Sequence, residues 1–116
     1  MSTAIACPYS GPVDPNAAAA VAAALIEMGC YEVSMGDTIG VGTPASTEAM
    51  FAACLKHVPA QKLAAHMHDT YGQAIANIMT ALQMGVWNSF PMDVYVILIF
   101  AAACEYVLIH YSYILP

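Results

Sequence analysis

Two histidines separated by one residue stand in the segment AAHMHDTYGQA, residues 64–74. In an extended strand, alternate side chains project from the same face, so His66 and His68 would lie side by side, about 7 Å apart at their backbones. Met67 would then point the other way, into apolar packing. Two imidazoles at this spacing can share one cation, so a strand here predicts half of a metal site. As a bare pattern, such a pair is equally typical of a structural role.

Asp37 is the second residue with chemical potential, and it lies in the glycine-rich turn GDTIGVGTP, residues 36–44. Its carboxylate can simply cap that turn, and from the residues alone this is the preferred interpretation. His57 and His110 have no partners near them in the sequence, so we interpret them as ordinary polar residues.

One strand–helix unit is repeated three times along the chain. The segments STAIAC, CYEVSM and KLAAHM, at residues 2–7, 30–35 and 62–67, predict strands that recur at spacings of about 30 residues, the length of a βαβ unit. The chain is therefore predicted to be parallel α/β. In such a sheet, functional groups collect where strands end and loops lead into helices, and His66, His68 and Asp37 all fall there.

The helix boundaries are marked by capping residues. Asp14 is placed to cap a first helix with Pro15 at its first position, and Gly29 can end it in the left-handed conformation. A second helix is predicted to begin near Pro44 and to span roughly residues 46–56. For the third, Thr70 and Gln73 have the spacing of a capping box, and the helix is expected to run to Met84.

Composition excludes one class of partner. The chain of 116 residues carries a formal net charge of -6, and its only cationic side chains are two lysines. No basic patch can therefore hold nucleic-acid phosphates. The four cysteines are far apart in the sequence and are interpreted as reduced thiols.

Several stretches resemble one enzyme family. CPYSG, GCYEVSMGDTIGVGTP, HMHDTYGQAIAN and ALQMGV are similar to segments of the 3-hydroxy-3-methylglutaryl-CoA lyases, members of the metal-dependent TIM-barrel lyases. Related acyltransferases usually continue after the paired histidines with a different Asn-Asp-Leu-Gly run, so the lyase branch is favoured. The resemblance defines a partial barrel domain over residues 1–86, about three βα units of a (β/α)₈ barrel.

The resemblance implies an activity and assigns roles to residues. The family cleaves 3-hydroxy-3-methylglutaryl-CoA to acetoacetate and acetyl-CoA, in leucine degradation and ketone-body formation, with magnesium or manganese as the cofactor. By motif, His66 and His68 correspond to metal ligands, His66 and Asp37 to catalytic residues, and Thr38 to a substrate-binding residue. The expected partner is an acyl-CoA substrate, and the compartment is mitochondrial or cytoplasmic.

The resemblance is partial, and this bears on activity. A complete barrel takes about 250 residues and eight strands, whereas the similarity here corresponds to strands five to seven. The family's other metal ligands, an aspartate and an asparagine, have no counterpart. We therefore expect a truncated lyase that is inactive alone. One alternative is a partial barrel that regains its site by assembling with itself or with a complementary fragment, because open sheet edges tend to pair.

Residues 87–116 form a second, apolar segment outside the resemblance. It is expected to be helical, and residues 94–115 reach the length of a membrane-spanning helix with Glu105 and His110 as polar interruptions. This supports an alternative function, a non-catalytic, membrane-tethered interaction protein derived from the lyase. The preferred interpretation is a sequence joined to the family region by a broken gene model or alternative splicing.

Overall fold

The computed structural model describes residues 1–87, 95–101 and 105–111. A short two-stranded sheet comes first, and three helices and four strands follow it in the described chain. In chain order the elements are β1 (Ala6–Cys7), β2 (Gly11–Pro12), α1 (Pro15–Glu27), β3 (Val33–Asp37), α2 (Pro44–Cys54), a 3₁₀ turn (Ala60–Lys62), β4 (Leu63–His68), α3 (Ala74–Gln83), β5 (Tyr95–Ala101) and β6 (Glu105–Tyr111).

The first helix begins and ends as the sequence predicts. The Asp14 carboxylate accepts a hydrogen bond from the Asn16 N–H at 2.9 Å, and Pro15 occupies the first turn, where no N–H donor is needed. After the C-cap residue Met28, Gly29 takes a left-handed conformation with φ of 100°. Local capping chemistry therefore fixes both ends of α1.

The second helix begins at Pro44, near which the sequence predicts its start. Thr43 is its N-cap, and a reciprocal capping box joins the Thr43 side chain to the Ser46 backbone and the Ser46 side chain to the Thr43 backbone. Pro44 can occupy the first turn for the same reason as Pro15 in α1. The helix ends at Cys54 instead of Lys56.

The predicted start of the third helix is wrong. Gln73 is the N-cap residue and makes no capping hydrogen bond through its side chain, so the Thr70–Gln73 capping box does not form. Instead, the Asp69 carboxylate accepts the Ala74 N–H at 2.8 Å, and Gly72, with φ of 70°, turns the chain into the helix. An acidic side chain at this end also suits the helix dipole.

The main sheet is parallel where the sequence predicts βα units. β3 pairs with β4 in parallel, from Val33 opposite Leu63 to Asp37 opposite Met67, and the strand order is β3-β4-β5-β6. α1 packs on α2, and α2 packs on α3. The helices cover the face of the sheet to which the large apolar side chains Met35 and Met67 point, and Phe51 of α2 fills the same core.

The strand predicted for residues 2–7 is shorter in the structure. Only Ala6–Cys7 is a strand, and it pairs antiparallel with β2. Before it, the Ala4 N–H donates to the Gly36 carbonyl at 2.8 Å, and the Gly36 N–H donates to the Met1 carbonyl at 2.9 Å. Thr3, with φ of 55°, interrupts this pairing because a left-handed residue cannot continue a strand.

The helix predicted for the apolar tail is wrong for the residues that can be described. Tyr95–Ala101 and Glu105–Tyr111 are strands that pair antiparallel, and β5 continues the sheet beside β4 in parallel. β-Branched and aromatic residues dominate the sequence YVILIFA, and such residues favour strands. Residue 94, residues 102–104 and residues 112–115 of the predicted membrane helix lie outside the described residues.

No helix in the described part of the chain has both the length and the apolar character needed to cross a membrane.

Candidate metal centre

His66 and His68 lie side by side at the carboxyl end of β4. Their Nε2 atoms are 3.3 Å apart, and their ring centroids are 5.3 Å apart with an angle of 32° between the ring planes. Met67, between them in the sequence, is fully buried in the apolar core on the other face. The prediction from strand periodicity, that the two imidazoles share a face, is confirmed.

The separation of the two nitrogens fits a shared cation. Two ligands of a six-coordinate ion, each about 2.1 Å from the ion and at right angles, stand about 3.0 Å apart. The observed Nε2 separation of 3.3 Å is close to this value. Each histidine side chain is partly exposed, so a cation could reach both nitrogens. These residues therefore fit two adjacent positions of a divalent metal.

The electrostatics of His66 favour its neutral form. Burial lowers the pKa of His66 most, and the positive charges of His68 and of the chain's amino terminus lower it further. A neutral imidazole keeps a lone pair on one nitrogen, which is what a metal ion requires. The environment of His66 therefore suits a ligand better than a permanent cation.

The histidines open onto a pocket of about 270 Å³. Residues of β3 that alternate along the strand form its second wall, and Thr38 follows them in the same register. The Thr38 Oγ1 accepts the Thr3 N–H at 2.9 Å, which fixes this side chain at the pocket edge. The pocket is lined by Met1, Ser2, Ser34, Gly36, Thr38, His66 and His68.

Asp37 lies on the other face of β3 and does not line this pocket. Its side chain is fully buried, and its Oδ2 accepts the Gly42 N–H at 2.8 Å, while its Oδ1 has no hydrogen-bond partner. This contact is the turn cap that the residues alone favoured. The structure thus brings Thr38, His66 and His68 together and leaves Asp37 apart, and the catalytic role of Asp37 stays a prediction.

Asn77 belongs to this region and was missed from the sequence. It is fully buried on α3, and its Nδ2 donates to the Gly42 carbonyl at 2.9 Å. A signal was available, because Asn77 shares the buried helix face with Ala74, Ile78 and Ala81. A polar side chain at an otherwise apolar position of that face indicates a buried hydrogen bond.

Within the part of the chain that the structure describes, no group of three or more His, Cys, Asp or Glu side chains could hold a metal ion. Among the described residues, the paired imidazoles therefore have no third side chain of these types beside them that would complete a metal site. A six-coordinate ion would need its further oxygen ligands from water, substrate or other protein residues.

Successive βα units with parallel pairing, and ligand-type side chains at the end of a strand, define the class of α/β proteins that place their sites at the carboxyl ends of the strands. Comparison with family models then identifies the family. The HMGL-like model matches residues 1–88, and the chain belongs to this family.

Individual relatives agree with this assignment. The chain is 58% identical over 86 residues to the mitochondrial hydroxymethylglutaryl-CoA lyase of Rattus norvegicus, and 55% identical over 86 residues to the cytoplasmic 3-hydroxy-3-methylglutaryl-CoA lyase of Homo sapiens. Each match covers 74% of this chain, with 26% of the rat protein and 23% of the human protein. The chain thus spans about a quarter of the length of these relatives.

A solved structure shows the same fold. The hydroxymethylglutaryl-CoA lyase of Pseudomonas aeruginosa matches with a TM-score of 0.72 and 54% sequence identity, over 73% of this chain and 28% of that one. The HMG-CoA lyase of Brucella melitensis matches with a TM-score of 0.72 and 50% identity, over 73% of this chain and 30% of that one. The α/β fold predicted as part of a lyase barrel is confirmed.

Proposed function

We propose that this chain contributes the paired-histidine portion of a hydroxymethylglutaryl-CoA lyase active site. In this proposal His66 and His68 are ligands of magnesium or manganese, and Thr38 contacts the acyl part of the substrate. The reaction would be the cleavage of 3-hydroxy-3-methylglutaryl-CoA to acetoacetate and acetyl-CoA, a step of leucine degradation and ketone-body formation. The 3.3 Å separation of the two Nε2 atoms carries the proposal.

The chemical role proposed for the metal ion, for His66 and for Thr38 follows from the position of each at the histidine pocket. A bound divalent cation would stabilise the negative charge that grows on substrate oxygens as the carbon–carbon bond breaks. His66, neutral and beside the pocket, can hold or release a proton at the nitrogen that is not bound to metal. Thr38 presents a hydroxyl to the same pocket, where it can donate a hydrogen bond to a carboxylate oxygen.

Turnover by this chain alone is not expected. Magnesium prefers oxygen ligands and loses its waters reluctantly, so two imidazoles hold it weakly. The sequence also has no arginine to bind a coenzyme A phosphate, because its two cationic side chains are both lysines. We therefore propose metal binding by the chain itself and catalysis only when further ligands are supplied.

The proposal is tested by manganese binding to the full chain. Titration with Mn²⁺, followed by electron paramagnetic resonance, compares the unsubstituted chain with His66→Asn and His68→Asn. Outer-shell partners of a ligand alone contribute about 10 to 100-fold in affinity, so loss of a ligand should weaken binding by at least about tenfold. His57→Asn is the matched control because His57 is exposed and does not line the histidine pocket, and we expect it to leave the affinity unchanged.

Two outcomes would contradict the proposal. One is Mn²⁺ affinity that is the same in His66→Asn, His68→Asn and the unsubstituted chain. The other is an equal loss of affinity in His57→Asn, which would mean that histidines bind manganese without regard to their position. A second measurement incubates the chain with 3-hydroxy-3-methylglutaryl-CoA and Mn²⁺. We expect no acetoacetate, and sustained formation of acetoacetate would show that two histidine ligands suffice.

A further inference from the structure

The backbone of Gly42 is held on two sides by buried side chains from different elements. Asp37, at the end of β3, accepts the Gly42 N–H at 2.8 Å. Asn77, on α3, donates through Nδ2 to the Gly42 carbonyl at 2.9 Å. Both side chains are fully buried. Gly42 therefore links the end of the third strand to the third helix through two hydrogen bonds that are shielded from water.

This arrangement requires glycine. A Cβ on Gly42 would lie 2.7 Å from the Asp37 Oδ2, 2.8 Å from the Ile5 Cδ1 and 3.3 Å from the Asn77 Nδ2. The first two distances are shorter than any normal van der Waals contact, so a side chain would push Asp37 or Ile5 away. The close approach of Asp37 and Asn77 to this backbone is thus a built feature of the turn over residues 38–42.

The same turn touches the loop that follows the paired histidines. Gly40 has φ of 64°, and a Cβ on it would lie 2.8 Å from the Thr70 backbone nitrogen and 2.8 Å from the Thr70 Cβ. Thr70 follows His68 by two residues. The turn that carries Thr38 is therefore packed against the loop after β4 as well as fastened to α3.

Asp37 has no direct route to that pocket. It lies on the opposite face of β3 from Ser34, Gly36 and Thr38, and the pocket lining does not include it. We propose that Asp37 is a positioning residue, which acts through the Gly42 N–H to hold the turn 38–42 and so keeps the Thr38 hydroxyl at the edge of the histidine pocket. This inference deepens the proposed function, on which the importance of Thr38 for substrate rests.

The Asp37 side chain could act through its negative charge or through the acceptor oxygen that it offers to Gly42, and asparagine separates these two roles. Only Oδ2 is used, because Oδ1 is buried without a hydrogen-bond partner. Asparagine keeps an acceptor oxygen of the same shape for the Gly42 N–H and removes the charge. If Asp37 acts through its negative charge, Asp37→Asn removes its effect. If Asp37 acts by accepting the Gly42 N–H, Asp37→Asn keeps its effect.

The test uses nuclear magnetic resonance on the full chain without metal. Hydrogen exchange of the Gly42 amide and the chemical shift of the Thr38 methyl group are measured in Asp37→Asn and Asp37→Ala. A hydrogen bond to a charged group is worth enough that its loss speeds exchange by about 10 to 100-fold. We expect that acceleration, with a displaced Thr38 signal, in Asp37→Ala, and near-native values of both in Asp37→Asn.

Thr47→Val is the matched control. Thr47 is also fully buried with an unpartnered oxygen, but it makes no hydrogen bond to Gly42. We expect it to leave the Gly42 exchange rate and the Thr38 signal unchanged. If Asp37→Ala does not fold, Asn77→Ala replaces it, since it releases the Gly42 carbonyl from the other side and should also displace Thr38.

Binding of 3-hydroxy-3-methylglutarate in the presence of Mn²⁺, measured by calorimetry, connects the turn to the pocket. We expect weaker binding in Asp37→Ala and native binding in Asp37→Asn. Equal weakening in both, with native Gly42 exchange in Asp37→Asn, would overturn the inference, because the charge would then act directly. Unchanged Gly42 exchange in Asp37→Ala would overturn it as well. If the unsubstituted chain does not bind the compound, the proposed function fails, and the exchange data alone decide the role of Asp37.

Discussion

Met67 and its two histidine neighbours show how a single residue step changes the role of a side chain. Strand geometry sends His66 and His68 to the pocket and Met67 to the core, where it is fully buried. The sequence pattern His-Met-His therefore places two imidazoles on one face of the strand and a packing residue on the other.

Replacing Met67 by alanine should destabilise the fold strongly. Removing a buried methionine side chain leaves a cavity and loses apolar burial, which costs about 2 to 5 kcal/mol. The free energy of unfolding from a urea titration measures this effect. Met28→Ala is the control, because Met28 is 74% exposed, and it should change stability by less than about 0.5 kcal/mol. Similar losses in the two variants would contradict the packing role of Met67.

The buried thiol of Cys54 makes the free energy of unfolding depend on pH, and the direction of this dependence follows from its pKa. Burial raises the pKa of the Cys54 thiol to about 11 from its ordinary value of 9.0. Because the folded-state pKa is the higher one, the unfolded chain loses its proton first. The contribution of the protonated Cys54 thiol to the free energy of unfolding is therefore fully present below pH 9, and it is lost as the pH rises toward 11.

The corresponding experiment compares the slope of unfolding free energy against pH between these limits. We expect the decline to be shallower in Cys54→Ala than in the unsubstituted chain. Cys30→Ala is the control, since Cys30 is exposed, and its decline should match that of the unsubstituted chain. A steep decline that persists unchanged in Cys54→Ala would place its origin in other groups.

At the scale of elements, the turns decide how helices and strands meet. Gly40 and Gly72 both adopt positive φ, 64° and 70°, but their surroundings differ. Around Gly72 no atom lies within 4 Å of where a Cβ would be, whereas at Gly40 the Thr70 side chain and backbone nitrogen are already in the way. Substitutions at these two glycines therefore distinguish the cost of a left-handed conformation from the cost of a steric clash.

Gly40→Ala should destabilise the chain more than Gly72→Ala. Both substitutions incur the left-handed conformation, about 1 to 2 kcal/mol for a residue with a Cβ. Gly40→Ala must also displace Thr70, so its effect should exceed that of Gly72→Ala by about 1 to 3 kcal/mol, as overpacking does in a core. Thermal unfolding followed by circular dichroism measures both. Equal effects would show that Thr70 moves aside freely.

At the scale of the whole molecule, the described apolar core lies within residues 4–86. It joins the three helices to the face of β3 and β4 opposite the pocket, and Ala4 and Val86 are its first and last members in the sequence. The region that matches the family, residues 1–88, therefore contains every residue of this described core.

A chain ending at Trp87 should thus keep cooperative unfolding. It retains every residue of the described core, and a packed core is what makes unfolding cooperative. Circular dichroism at increasing urea concentration tests this. A chain ending at Lys62 is the control, because it lacks Leu63, Met67 and Ile78 of the same core, and it should unfold without a sharp transition. A gradual transition in the longer truncation would mean that the tail completes the core.

The sequence predicted best where a structure depends on neighbours in the chain. Both ends of α1 follow from Asp14 and Gly29, since a cap and a left-handed glycine act within a few residues. The prediction was wrong for the start of α3, because the capping box suggested by the spacing of Thr70 and Gln73 does not form. Thr70 packs against Gly40 from another turn, and Asp69 supplies the hydrogen bond instead.

By itself, the sequence determined the βα units that begin with β3 and β4 and the shared face of His66 and His68, because backbone periodicity is a local property. Only the tertiary structure decided which face of β3 borders the pocket and that Gly42 is held between Asp37 and Asn77, 35 residues beyond it in the chain. Only the tertiary structure, likewise, showed that Tyr95–Ala101 and Glu105–Tyr111 are strands and not a helix. The physical reason is that long-range packing and sheet pairing, which no local pattern specifies, choose among conformations that the local sequence permits about equally.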